Sequence, residues 1–283
     1  MKKISIFLFT FMIAFSIKAQ INTPQASPFS KVEQKVGLTD VNLNYSRPGV
    51  KGRTVFGNLI PFGKLWRTGA NENTTITFST EVTIASSTLK AGTYAIYTIP
   101  NKDSWEVFFY NDAKNWGNPK EWDETKIVAK TTVKSFSMPF NVESLMIDIN
   151  NLKNDSATID IAWEKTYISI PFEVPTDKIV MANIKKTMAA EPKMNDYYAA
   201  AVYYFESNKN IKTSLQWIDE AIELQGETPK FWALRKQSLI HAKAGDKKGA
   251  IKAAKKSLEL AKKEKNDDYV KMNLDSLKEW GAL

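Results

Sequence analysis

The sequence predicts an all-β sandwich or jelly-roll-like domain over residues 20–175, followed by an all-α helical-repeat domain over residues 176–283. Three observations carry this reading. Before Pro175, apolar residues recur at every second position amid abundant Thr, Val, Ile and aromatics. Side chains on a strand alternate between its faces, so this pattern marks half-buried strands. After Pro175 the composition turns to Ala, Lys, Glu and Leu, with apolar residues at helical spacing. Finally, closely spaced strands without helices between them argue for packed antiparallel sheets rather than alternating strand–helix units.

The chain opens with Lys2 and Lys3, an apolar run from Ile4 to Ile17, and a Lys18-Ala19-Gln20 junction with a small residue at the cut. That three-part pattern reads as a cleavable signal peptide over residues 1–19. The run is shorter than the roughly 20 apolar residues that span a bilayer. The mature chain is therefore expected to begin near Gln20, to be exported to the periplasm, surface or medium, and to carry no transmembrane segment.

Strands are expected at Val41 to Tyr45, Thr74 to Phe78, Val82 to Ala85, Thr93 to Ile99, Trp105 to Phe109, Ile127 to Val133, Leu145 to Ile149, Ala157 to Trp163, and Ile168 to Val174. A short helical or irregular piece is expected over Asp112 to Asp123. Between Ser46 and Asn73 the alternation stops, and Gly49, Gly52, Gly57, Gly63 and Gly69 appear with Pro48 and Pro61. Long connections of this kind in compact domains are functional or disordered, and apolar Val50, Val55, Phe56, Leu59, Ile60, Leu65 and Trp66 argue against disorder. Beyond Pro175, helices are expected near 177–190, 196–207, 211–225, 229–243, 247–264 and 269–280. Ser214, Trp217, Ala221 and Leu224 are matched by Ala250, Ala253, Ser257 and Leu260 at an interval of about 36 residues. The two helix pairs resemble tetratricopeptide repeats, without that family's glycine in the first unit.

The net charge of +8 does not mark a nucleic-acid binder. Part of it lies in the signal lysines, residues 20–175 are balanced, and the excess is spread along helices with lysines such as Lys247, Lys248, Lys255 and Lys262, a solvated-face pattern. The chain has no cysteine and one histidine, His241, which sits in the helical repeat. Disulfides, Ser-His-Asp triads and Cys-His dyads in the β domain, and His-rich zinc sites are thereby excluded. His241 reads as a packing or surface residue. No cofactor and no metal site is assigned.

The candidate ligand site is the Gly-rich connection. Arginine presents a planar fork of donors suited to carboxylate, phosphate or sulfate, and tryptophan stacks on a sugar ring or a guanidinium. Arg47, Lys51, Arg53, Trp66, Arg67, Asn71 and Glu72 could therefore line one pocket, or the arginines could tie down backbone carbonyls while Trp66 fills the core. Two further sets stand beside it. Glu72, Asp112, Glu121, Asp123 and Glu124 offer carboxylates for glycoside hydrolysis, and Trp105, Phe108, Phe109, Tyr110, Trp116 and Trp122 offer either a sugar-stacking wall or core.

The run Tyr45-Ser46-Arg47-Pro48, Lys51-Gly52-Arg53, Phe56-Gly57, Trp66-Arg67-Thr68-Gly69-Ala70-Asn71 and Thr74, followed by Ala91-Gly92-Thr93-Tyr94 and Ile99-Pro100, resembles the exported bacterial family termed domain of unknown function 2911. The resemblance covers about residues 28–174. It implies a secreted β-rich domain, sometimes followed by helical repeats, and brings no activity or catalytic residues. The leading expectation is an exported binding protein whose β domain takes a small anionic or carbohydrate ligand and whose helical repeats contact a protein partner. The alternatives are an exported carboxylate-dependent hydrolase and a structural envelope protein without a ligand.

Overall fold

The computed structural model describes residues 23–283, so the expected signal peptide lies outside the described residues. The chain divides into two compact units at the Pro175–Thr176 junction.

Among the described residues the first unit holds ten antiparallel strands: β1 (Phe29–Val36), β2 (Thr39–Ser46), β3 (Thr75–Phe78), β4 (Val82–Ile84), β5 (Ser87–Leu89), β6 (Gly92–Pro100), β7 (Ser104–Tyr110), β8 (Ile127–Lys134), β9 (Phe136–Asn150) and β10 (Ser156–Glu173). One sheet has the order β1-β2-β3-β6-β7-β8 and the other β5-β4-β10-β9. Inward side chains of both sheets form one core, with Leu43, Ile76, Ile96 and Phe109 from the first and Ile147, Ile161, Ile170 and Phe172 from the second. This shared core makes the unit a sandwich.

Three differences from the expected strands have physical causes. β1 carries Lys31, Glu33 and Lys35 on one side and Gln34 on the other, so it lacks a clean apolar face and forms an edge strand. β5 spans only three residues. The two strands expected over 157–174 are one, β10, whose register against β9 shifts around Glu164, a residue at φ +53°. A bulge of this kind bends a strand without ending it.

The six-stranded sheet packs on both faces. Its outer face carries a smaller cluster, Ala95, Tyr97, Phe108 and Tyr110, over which Trp122 and Ile127 pack. The segment 111–126 thus covers one part of that face. Asn44, Thr75 and Thr93 lie on the same face by register and remain uncovered.

The second unit holds α1 (Thr176–Met188), α2 (Met194–Glu206), α3 (Ile211–Glu223), α4 (Phe231–Lys243), α5 (Lys247–Lys263) and α6 (Asp267–Glu279). Asn210, Asp246 and Asn266 cap α3, α5 and α6 with side-chain oxygens, the usual stop-and-start chemistry for orphan N–H groups. Small residues allow close helix approach: Ser214 of α3 donates to the Ala201 carbonyl and Ser257 of α5 to that of Phe231, each at 2.7 Å. No helix among the described residues is long and apolar enough to cross a membrane.

Candidate functional site

The connection from β2 to β3 is ordered by isolated bridges of Gly49 with Ser144, Phe56 with Ile60, and Trp66 with Thr98. Trp66 turns into the core, 6% exposed, and its indole N–H donates to the Gly69 carbonyl at 3.0 Å. Its ring stacks on Trp163 at 5.8 Å and meets Trp105 and Phe56 edge-on. A β-carbon on Gly69 would sit 2.8 Å from the Thr74 hydroxyl, so only glycine fits beside this turn. Thr68 and Asn71 both hold φ +57°, and the buried Thr74 hydroxyl donates to the Thr68 carbonyl at 2.8 Å, which fixes the reversal.

The seven sequence candidates separate. Lys51, Arg53, Trp66 and Arg67 line one cleft of about 300 Å³ together with Pro48, Ile60 and Trp163. Arg47 and Asn71 lie outside this lining. Arg47 donates through Nε to the Leu145 carbonyl at 2.8 Å. Asn71 donates to the Ser27 carbonyl at 3.1 Å and reaches Gln25 and Ser46 at 3.3 Å, which ties the N-terminal segment to the turn. Glu72 is exposed and faces a different concavity.

Within the cleft, Arg53 spends Nε and Nη2 on the carbonyls of Val50 and Gly49, at 2.9 and 2.6 Å. Arg67 differs: its Nε is buried and has no hydrogen-bond partner. The far end of its guanidinium lies beside Gly117, 3.7 Å from where a β-carbon would stand. No carboxylate lines the cleft. The neighbouring Glu143 and Glu164 accept from the backbone N–H groups of Lys51 and Val55, at 2.9 and 3.1 Å. The cleft therefore offers three cations and an aromatic wall, and one of its arginines, Arg67, holds a buried guanidinium N–H without a partner.

The second concavity, of about 890 Å³, lies on the outer face of the six-stranded sheet. Its floor is Asn44, Thr75 and Thr93 from the adjacent strands β2, β3 and β6, and its walls are Glu72, Asn73 and residues 111–116 with Lys126. Sequence reasoning missed this groove. Asn73 is only 5% exposed, and neither its amide nitrogen nor its oxygen makes a hydrogen bond of good geometry, although the amide lies near enough to the Tyr97 hydroxyl to act on it. The fully buried Tyr97 hydroxyl lies close by and donates to the Gly117 carbonyl at 3.4 Å; burial pushes this phenol up, and the Asn115 and Asn73 amides act in the opposite direction. Lys126 pairs with Asp112 at 3.0 Å, and this hydrogen bond holds the Asp112 carboxyl below its ordinary value.

Of the aromatics expected as a sugar wall, Trp105, Phe108, Phe109 and Tyr110 are core. Trp122 stacks on Tyr110 at 4.7 Å and meets Tyr97 edge-on. Trp116 alone of the set stands free, 69% exposed on the groove's wall. Asn118 anchors its loop by donating to the Leu65 carbonyl at 2.8 Å.

In the helical unit His241 lies between Asp219 of α3 and Asp246 of the α4–α5 turn, 2.8 Å from each. The Asp219 contact, opposed by burial and reinforced by Asp246, raises the imidazole above its ordinary 6.5. Its geometry is that of a staple between helices. Among the described residues no three His, Asp or Glu side chains gather so as to hold a metal ion.

The chain is thus an antiparallel β-sandwich protein with a C-terminal helical unit. Residues 27–172 match the family described as protein of unknown function (DUF2911), and the chain belongs to that family. No curated protein and no solved structure matches it.

Proposed function

We propose that this is an exported binding protein whose β unit takes a small organic anion in the cleft formed by Lys51, Arg53, Trp66 and Arg67. The observation that carries the reading is the buried, unpartnered Nε of Arg67. Leaving a buried donor unmade costs about 1–3 kcal/mol, and a carboxylate, phosphate or sulfate oxygen in the cleft removes that cost with a charge-assisted hydrogen bond. No carboxylate stands among the lining residues, so the three cations face the cleft without an anionic side chain between them and a ligand. The apolar Ile60, Trp66 and Trp163 favour an anion that carries a flat or apolar body.

Calorimetry with phenyl phosphate and benzoate, against neutral benzyl alcohol, tests the site. The anions are expected to bind and the alcohol not, with Arg67→Ala weakening the anions about tenfold or more while the melting temperature is kept. Equal binding by the alcohol, or unchanged binding in Arg67→Ala, defeats the assignment.

Export is supported by the basic-apolar-small pattern of residues 1–19, and a mass spectrum of the protein recovered outside the cytoplasm should place its N-terminus at Gln20. Recovery of the uncleaved chain in the cytoplasm alone would count against it. The paired helices of the second unit suit contact with a protein partner, because stacked helix pairs present extended surfaces. Cross-links to any co-purifying protein should then fall on residues 176–283, and cross-links confined to the β unit would reject this role.

A carboxylate-dependent hydrolase is a second reading, favoured by one observation: Glu72 and Asp112 line the same groove. Lys126 holds Asp112 ionised, so Glu72 would have to be the proton donor. Reducing-end release from an oligosaccharide, abolished in Glu72→Gln, would establish it, and an inert wild-type protein would remove it.

A further inference from the structure

We propose that the groove on the outer face of the six-stranded sheet is a second binding site, separate from the cationic cleft, and that it takes a neutral, hydroxyl-rich saccharide chain. The two concavities share no lining residue.

The charge of the groove argues for a neutral occupant. Its ionisable lining residues are Glu72, Asp112, Lys114 and Lys126, two of each sign, and Asp112 is paired with Lys126. An anion would gain nothing here that it does not gain more strongly in the cleft. The remaining polar lining is neutral: Asn44, Asn73, Asn111 and Asn115 with Thr75 and Thr93. Carboxamides and hydroxyls both donate and accept, which matches the dual character of a sugar hydroxyl.

Asn73 points to a ligand more directly. A buried amide with both groups unpartnered is uncommon, since buried polar groups are nearly always satisfied. Its adjacent donor and acceptor suit two neighbouring hydroxyls on one ring, one accepting from the nitrogen and the other donating to the oxygen. Trp116 supplies the complementary surface. A tryptophan 69% exposed on the wall of a polar groove presents an apolar face on which the C–H face of a pyranose can lie.

Size favours a chain over a single ring. The floor spans three adjacent strands spaced about 4.8 Å apart, hence about 10 Å across. The volume of about 890 Å³ exceeds that of the cleft severalfold. Both Asn118 and the Asp112–Lys126 pair hold the wall in place before a ligand arrives, which lowers the ordering cost of binding.

The test is calorimetry and tryptophan fluorescence with cellopentaose, xylopentaose, maltopentaose and chitopentaose, with a galacturonate pentamer as the acidic counterpart. At least one neutral oligomer is expected to bind saturably. Asn73→Ala and Trp116→Ala should each weaken it about tenfold, and Arg67→Ala should leave it unchanged, so that failure of the anion reading does not affect this one. Should Asn73→Ala fail to fold, Trp116→Ala and Thr93→Val decide the matter, because both side chains are exposed. The proposal is overturned if no neutral oligomer binds, if only the acidic oligomer binds, or if binding survives Trp116→Ala together with either Asn73→Ala or Thr93→Val. It is also overturned if Arg67→Ala abolishes saccharide binding in a folded protein, since that would make the two sites one.

Discussion

The cleft and the groove of the β unit are built by opposite means. The cleft comes mostly from one continuous stretch, residues 48–70, whose arginines, glycines and tryptophan stand together in the sequence, with Ala26 and Ser27 from the segment before β1 and Trp163 from β10. The groove comes from side chains on β2, β3 and β6 and on the segment after β7, which become neighbours only because β4 and β5 leave for the other sheet. One is charged and partly walled by the core. The other is polar, uncharged overall and laid on a sheet face. On the proposed reading a single unit separates two ligand chemistries without a second domain, and each concavity has its own orphaned polar group, Arg67 Nε in one and the Asn73 amide in the other.

The largest effect should come from removing the wall that the cleft shares with the core. Trp163 is 1% exposed and stacked on Trp66. Trp163→Ala is expected to destabilise the unit by about 3–5 kcal/mol in urea denaturation and to abolish anion binding. The residual folded protein should still bind in the groove. Loss of both activities at equal folded fraction would break the separation.

Next in size is Arg67→Lys, which keeps the charge and loses the planar fork. Anion affinity should fall about tenfold, with saccharide binding unmoved in the same calorimetric series. Retained anion affinity would reduce the site to a simple charge.

Two adjacent buried positions separate function from stability. The Thr74 hydroxyl is satisfied, and the Asn73 amide is not. Thr74→Val should cost about 1 kcal/mol through the lost hydrogen bond, whereas Asn73→Leu should change stability by less than that or raise it, while losing saccharide binding. Thermal melts of the two variants read this directly, and a large loss in Asn73→Leu would mark the amide as structural.

The smallest effects are those of pH. The Asp112 carboxyl is held below its ordinary 3.8, so the pair with Lys126 persists above that value and is lost only as pH falls through the lowered one. Groove binding should therefore be flat near neutrality and weaken in strong acid. His241 behaves oppositely, because its value is raised above 6.5: its stapling contribution is complete below 6.5 and disappears as pH rises through the raised value. A melting transition that declines on the alkaline side in the wild type and becomes flatter in His241→Gln would assign that dependence to the helical unit. A groove-binding affinity that tracks the same titration would contradict the assignment.

The helices were legible because apolar and small residues recur at helical spacing along one side of each, with Ser214, Ala221, Ala250 and Ser257 buried at the contacts. Most strands were legible for the same reason at period two. β1 was not, since an edge strand with Lys31, Glu33 and Lys35 need not present an apolar stripe. Arg53, Trp66 and Arg67 were legible as a cluster because they lie close along the chain. Arg47 and Asn71 share that neighbourhood in sequence, but their side chains turn to Leu145 and to the N-terminal segment. The groove left only a faint trace: polar Asn42 and Asn44, Thr75 and Thr77, and Thr93 on the outward positions of their strands. Their convergence depends on sheet order, which periodicity does not carry.

The most direct test of two chemically distinct sites is amide correlation spectroscopy of the protein titrated with phenyl phosphate and then with the neutral oligosaccharide that binds. The anion should shift the amides of Gly49, Lys51, Arg53 and Arg67, and the saccharide those of Thr75, Thr93 and Asn111 to Trp116, with either order of addition giving the same final spectrum. One common set of shifted amides for both ligands, or displacement of one ligand by the other, would contradict the account.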